Sequence, residues 1–126
     1  MIKVGFIGAG DIAYLHGEGV SSSANAELAG IWNRTRSKAE EKAELFGTKV
    51  FDSAEELIDA VDVVYILTNM ETHHSYAMQV IEAGKHALVE KPTAVTIAEI
   101  EEIKEAADRK GVQVAPVHNY IYEPSV

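Results

Sequence analysis

Two rhythms of apolar and polar positions run along this chain, and the switches between them mark out its elements. Short apolar runs occur at Ile2–Ile7, Glu27–Trp32, Val63–Leu67, His86–Val89 and Gln113–Val117, with a shorter one at Lys49–Phe51. Between them, apolar residues recur every three or four positions, the spacing that gathers side chains on one face of a helix. Ile12, Leu15, His16, Gly19 and Val20 make one such stripe, and Ala39, Ala43 and Phe46 a second. His73, Tyr76, Ala77, Val80 and Ile81 make a third, and Ile97, Ile100, Ile103 and Ala107 a fourth. The punctuation agrees with this division. Ser53-Ala54-Glu55-Glu56 and Thr96-Ile97-Ala98-Glu99 read as capping boxes, and Gly47, Gly84 and Gly111 stand where helices should stop.

The runs at Val63–Leu67 and His86–Val89 are almost continuously apolar. A strand with one wet face alternates, whereas a strand covered on both faces does not. Strands of this kind alternating with helices predict an α/β fold: one domain over residues 1–126, a doubly wound, mainly parallel sheet with helices on both faces. Ligands of such sheets sit beyond the carboxyl ends of the strands, where the strand order reverses. The positions to weigh are therefore Gly8–Ala13, Asn33–Arg36, Thr68–His74, Glu90–Pro92 and His118–Tyr122.

Composition narrows the ligand. The 126 residues are 47% hydrophobic and 25% charged, as in an ordinary globular domain. No apolar stretch approaches the roughly 18 residues of a membrane span, and no basic-then-apolar leader is present, so a cytoplasmic protein is expected. The absence of Cys excludes a disulfide framework, a thiolate metal site and a Cys nucleophile. With 11 basic against 20 acidic residues the net charge is −9, and no long basic run offsets it, which argues against a nucleic-acid partner. An anionic ligand must then be held by local geometry, as a nucleotide is in a cleft.

That geometry is suggested at the first turn. The strand Ile2–Ile7 runs into Gly8-Ala9-Gly10-Asp11-Ile12-Ala13, a G-x-G-x-x-A pattern placed between a strand and a helix. Gly8 makes the tight turn, Gly10 lets a pyrophosphate approach the backbone, and Ala13 allows helix and strand to pack closely. The free N–H groups of the helix start, with its partial positive charge, face the anion. Gly8, Ala9, Gly10, Asp11 and Ile12 are thus expected at the cofactor. An acidic residue about 20 positions further on would bind the ribose hydroxyls of NAD. Here the strand ends at Trp32 and continues Asn33-Arg34-Thr35-Arg36-Ser37-Lys38, with no carboxylate and three cations. Arg34 and Thr35 supply the planar cation and hydroxyl that suit a 2′-phosphate, so NADP is favoured over NAD, and Asn33 beside them is expected at the cofactor too. The competing reading is a polar loop leading into an exposed helix.

Lys91 follows the fifth apolar run in Glu90-Lys91-Pro92, and Pro92 keeps it in extended backbone. A Lys in a partly desolvated cleft can pass a proton to a carbonyl oxygen as hydride arrives at carbon, with Glu90 to orient it. The competing reading is a solvated Lys in a turn. His73 and His74 are adjacent and so point apart on a helix, and no carboxylate set accompanies them. A packed, hydrogen-bonded His73 that shapes the cofactor loop is expected, and no metal. His16 belongs to the first helix face near the cleft. Glu99, Glu101, Glu102 and Glu105 read as a solvated helix face.

These residues together resemble the N-terminal domain of the Gfo/Idh/MocA oxidoreductases, sugar and cyclitol dehydrogenases that use nicotinamide cofactors. The resemblance rests on Gly8–Ala13, on Thr68 followed by His73, on the block Glu82–Pro92, and on Asn119-Tyr120 and Pro124. It implies a Rossmann fold, a cofactor held also by Thr68, Asn69, His73, Glu90, Lys91 and Pro92, and Lys91 as the catalytic residue reaching both nicotinamide ribose and substrate. It further implies a second domain beyond residue 126 that supplies the pocket for a small polyol or sugar-like substrate and the interface of a homo-oligomer. Without that domain, little turnover is expected. Two positions depart from the family: Asn69 stands where Pro is usual, and Ile121 where Arg is frequent. The alternative function is a non-catalytic dinucleotide sensor, against which the retained Lys91 argues.

Overall fold

A computed structural model describes the fold over residues 2–90 and 96–116. Five strands, β1 (Ile2–Ile7), β2 (Ala26–Trp32), β3 (Val63–Ile66), β4 (His86–Val89) and β5 (Val114–Pro116), form one sheet in the order β2-β1-β3-β4-β5. Every pairing is parallel. The connecting helices are α1 (Asp11–Ser21), α2 (Arg36–Phe46), α3 (Ala54–Ala60), α4 (Met70–Glu82) and α5 (Ile97–Lys110). The chain leaves β1 toward β2, then returns to the other side of β1 with β3, which puts the reversal of strand order between β1 and β3.

The two-faced burial foreseen from the apolar runs follows the period of two along each strand. Val4, Phe6 and Ile31 join Ala13, Val20, Ala39 and Ala43 of α1 and α2 in one cluster. Ile7, Val64, Ile66 and Val89 join Leu57, Ile81 and Ile103 of α3, α4 and α5 in the other. On the first face the Phe6 ring stacks on Tyr65 with centroids 5.3 Å apart, and burial pushes the Tyr65 phenol above its ordinary value.

Four local expectations are corrected. Lys49–Phe51 is not a strand: Ile31 bridges Val50 alone, and the chain then turns into α3. At Ser53 only half of the capping box forms, its hydroxyl accepting from the Glu56 amide at 3.1 Å, while Thr96 and Glu99 close the complete box. The small residue packed between α1 and α2 is Gly17, where a Cβ would fall 2.2 Å from the Phe46 ring; Gly19 faces open space. In α5 the apolar stripe starts too early. Ile97 is 76% exposed and Ile100 39%, and burial begins at Ile103, with Ala106 and Ala107.

Candidate functional site

Three loops meet beyond the carboxyl ends of β1, β2 and β3. The first is held by close backbone contact. Gly8 has φ +115° and its N–H donates to the Trp32 carbonyl at 2.8 Å. A Cβ on Gly8 would lie 2.8 Å from the Leu67 carbonyl carbon and oxygen, so only Gly fits between the β1 and β3 loops. Gly10 differs in kind: a Cβ there would meet nothing within 4 Å. Its missing side chain leaves room on the open side of the loop, where a ligand backbone would come in.

Asn33 ties the first loop to the second. Its Oδ1 accepts from the Ala9 amide at 3.0 Å, and its Nδ2 donates to the Thr35 carbonyl at 2.9 Å. Both partners are backbone groups of fixed polarity, so a carboxylate could make the first bond and not the second.

The third loop is braced from behind. His73 is 1% exposed, and its Nε2–H donates to the Thr68 carbonyl at 2.8 Å. A carbonyl only accepts, which assigns a proton to that nitrogen. Thr72 Oγ1 donates to the Asn69 carbonyl at 2.8 Å and lies 2.7 Å from the Thr68 hydroxyl.

The loops enclose a cleft of about 250 Å³. Of the expected site residues, Gly8, Ala9, Gly10, Asn33, Arg34, Thr35, Thr68 and Asn69 line it. Asp11 opens α1, and Ile12 beside it packs partly buried against the Phe6 cluster. Glu90 stands at the end of β4, its amide donating to the Ile66 carbonyl at 3.0 Å, and its carboxylate is 2.8 Å from His16 Nε2. Lys91 and Pro92 lie outside the described residues, as do His118, Asn119, Tyr120 and Tyr122. His74 turns away from His73 toward α5, where its Nε2 is 3.0 Å from Glu102. Among the described residues no group of three His, Asp or Glu is arranged to hold a metal ion.

Sequence reasoning missed Leu67 and Tyr76, which also line the cleft, and gave no separate role to Thr72, which lines it too within the span Thr68–His74. A signal was present: Thr68, Thr72 and Tyr76 recur every four residues, on the helix face that begins at the loop. Tyr76 sits edge-on to Trp32 with centroids 6.0 Å apart, so the two rings form the wall on the β2 side.

The electrostatics of the cleft oppose those of the chain. Among the described residues Arg34 and Lys38 line it and no carboxylate does, although the whole chain carries −9. Arg36, third of the cations, is drawn off by Asp52 at 2.8 Å and Glu40 at 3.2 Å, which raise its pKa above the ordinary value. The helices starting at the cleft, α1 at Gly10, α2 at Thr35 and α4 at Asn69, have no side-chain cap. Ser53 and Thr96 do cap α3 and α5, which do not begin on the cleft. Three helix starts with their N–H groups unclaimed by caps, two cations and an open Gly10 are the donor set that phosphates need. A dinucleotide fits these residues.

Comparison with known proteins agrees. A family model for the Gfo/Idh/MocA oxidoreductases, with an NAD-binding Rossmann fold, matches residues 2–118. Glucose-6-phosphate 3-dehydrogenase of Bacillus subtilis (strain 168) is 37% identical over 122 residues, covering 97% of this chain and 35% of that protein. The crystal structure of GenD2, from gentamicin A biosynthesis, in complex with NAD superposes with a TM-score of 0.92 at 30% identity, over 98% of this chain and 36% of GenD2. Biliverdin reductase from Synechocystis sp. PCC 6803, solved with biliverdin and NADP+, gives 0.88 at 28% identity, over 93% of this chain and 38% of that one. The chain thus spans about a third of the length of the curated relatives it matches. On fold, cleft and sequence together, the chain belongs to the Gfo/Idh/MocA oxidoreductase family, of which it is the NAD(P)-binding Rossmann domain.

Proposed function

We propose that this chain is the cofactor half of an oxidoreductase that moves hydride between NADP and a sugar-like or polyol substrate. The observation that carries the reading is the cleft at the strand ends, lined among the described residues by Arg34 and Lys38 and by no carboxylate, in a chain of net charge −9. The α1 start at Gly10 would take the pyrophosphate on backbone N–H groups, with room left by the missing side chain. Trp32 and Tyr76 would flank the adenosine end. Arg34 and Thr35 would take the 2′-phosphate, with Lys38 adding charge. At the end of β2, the position that holds a ribose-binding carboxylate in NAD enzymes, Asn33 is engaged with backbone on both sides. The relatives described above include complexes with NAD and with NADP+, so the preference rests on these residues and not on kinship.

The nicotinamide, when bound, would carry the hydride. The chain would orient it and manage the accompanying proton. Thr68 and Asn69, braced by His73 and Thr72, would hold the nicotinamide half beside β3. Lys91 would move the proton at the substrate oxygen as general acid or base. The named activity of the Bacillus relative supports a sugar-like substrate, and the remaining two thirds of a relative's length would supply the substrate pocket and subunit contacts. Among the described residues no helix is long and apolar enough to cross a membrane, and a cytoplasmic setting is part of the same proposal.

Titration of the chain with NADPH and, separately, NADH tests the reading through quenching of Trp32, which lines the cleft. Tighter binding of NADPH is expected. Arg34→Ala should weaken it about ten-fold, ~1.4 kcal/mol, while changing NADH binding less than two-fold, because a charge-assisted bond to phosphate is lost. Equal affinity for the two, or a preference for NADH, overturns the NADP assignment; failure to bind either overturns the cofactor role of the chain.

A further inference from the structure

One polar pair near the strand ends has no part in the cleft lining described above. His16, in the second turn of α1, places Nε2 2.8 Å from Glu90 Oε2, joining residues 74 apart in sequence. The two side chains are only 17% and 19% exposed. The His16 ring also stands edge-on to Tyr65, with centroids 5.5 Å apart and planes at 88°. Glu90 is thus gripped twice, its amide by Ile66 of β3 and its carboxylate by α1. A hydrogen bond to a carboxylate in a partly desolvated place is among the stronger ones a protein makes. The edge-on contact with Tyr65 seats the ring, and the bond to Glu90 uses its nitrogen.

The topology says which end of the site the pair serves. Trp32, Arg34 and Thr35 mark the adenosine end, beyond β2. In the order β2-β1-β3-β4, the end of β4 is three strand spacings away, ~14 Å. A dinucleotide with its phosphates at the α1 start, beyond β1, extends across β3 toward β4 with its nicotinamide half. Glu90 stands there, and Lys91 follows it in sequence.

We propose that His16 is a positioning residue for the nicotinamide end of this site, acting by holding the carboxylate of Glu90, the residue from which Lys91 follows. The inference rests on the dinucleotide-binding reading given above. It assigns His16 no contact with the substrate and no proton to transfer. Its work is to stop the end of β4 from swinging, so that the groups around the nicotinamide are ordered before the cofactor arrives.

The two ends of NADPH can be read separately on this chain, Trp32 quenching reporting the adenosine end and nicotinamide emission the other. His16→Leu removes the bond to Glu90 and keeps a good helix former, and His16→Gln keeps an N–H donor of similar reach. His16→Leu should cut the emission enhancement of bound NADPH by half or more while the dissociation constant from Trp32 moves less than two-fold. His16→Gln should restore most of the emission. Glu90→Ala should lower the emission as well, and if His16→Leu does not fold, His16→Ala, which also removes the bond to Glu90 and suits a helix, makes the same comparison with His16→Gln. Unchanged emission in the variants overturns the inference. So does a parallel five-fold or larger loss of affinity at Trp32, which would make the pair a brace for the whole fold. A parent chain that does not bind NADPH overturns the underlying reading and this inference with it, whereas a parent that binds, with unaltered emission in both variants, overturns this inference alone.

Discussion

Two glycines two positions apart do opposite work. Gly8 is demanded by the protein itself, since its φ of +115° and the 2.8 Å approach to Leu67 backbone leave no place for a Cβ. Gly10 has φ −81°, ordinary for any residue, and open space around it. Gly8→Ala should therefore cost about 1–3 kcal/mol of stability, read as a lowered thermal midpoint. Gly10→Ala should leave the midpoint within about 0.5 kcal/mol of the parent and yet weaken NADPH binding ten-fold or more. A destabilised Gly10→Ala with intact binding would show that Gly10 serves the fold. The sequence pattern treats the two alike, because it records residue types and not what surrounds them. Tyr76 escaped for a related reason: an apolar stripe says that a helix has an inner face, and the Tyr76 ring on that stripe both packs against the core and lines the cleft.

At the scale of elements, the helix starts divide by their caps. Thr96 accepts from the Glu99 amide at 3.1 Å, and the Glu99 carboxylate answers to the Thr96 amide at 3.3 Å. Thr35 stands at the equivalent position of α2 with no such bond. Thr96→Ala should cost about 1 kcal/mol in denaturant or thermal unfolding, and Thr35→Ala less than about 0.3 kcal/mol. Thr35→Ala should instead show in the affinity for NADPH. Equal losses of stability at the two sites would mean that Thr35 is a structural cap after all. Most elements were legible because period, cap and stop residues act over three or four neighbours. Lys49–Phe51 was misread as a strand since its apolar character serves a single bridge to Ile31 and the seating of the Phe51 ring against Gly30. Ile97 and Ile100 continue the α5 stripe in sequence, but the helix meets the core only from Ile103 onward.

For the whole molecule, the cleft couples binding to stability. It is built from three loops that the sheet merely holds in register, so a ligand joining them stabilises the native state by mass action. NADPH at about 100 times its dissociation constant should add ~2.7 kcal/mol, raising the thermal midpoint by several degrees, and NADH at the same concentration should add less. Added salt should shrink the NADPH shift more than that of NADH, since Arg34 and Lys38 act on charge. An identical shift for both cofactors at all salt concentrations would speak against a 2′-phosphate site. The reading of an α/β sheet, of its buried strands and of the Gly-rich turn came from the sequence alone, because alternation, burial on both faces and turn chemistry are written in short stretches of residues. Only the tertiary structure decided that Asn33 clips Ala9 to Thr35, that Arg36 is lost to Asp52 while Arg34 and Lys38 face the cleft, and that His16 holds Glu90. Each of these contacts joins residues that become neighbours through strand order and parallel register or through the folding back of loops, and such pairings are set by the packing of the whole sheet, not by any local pattern.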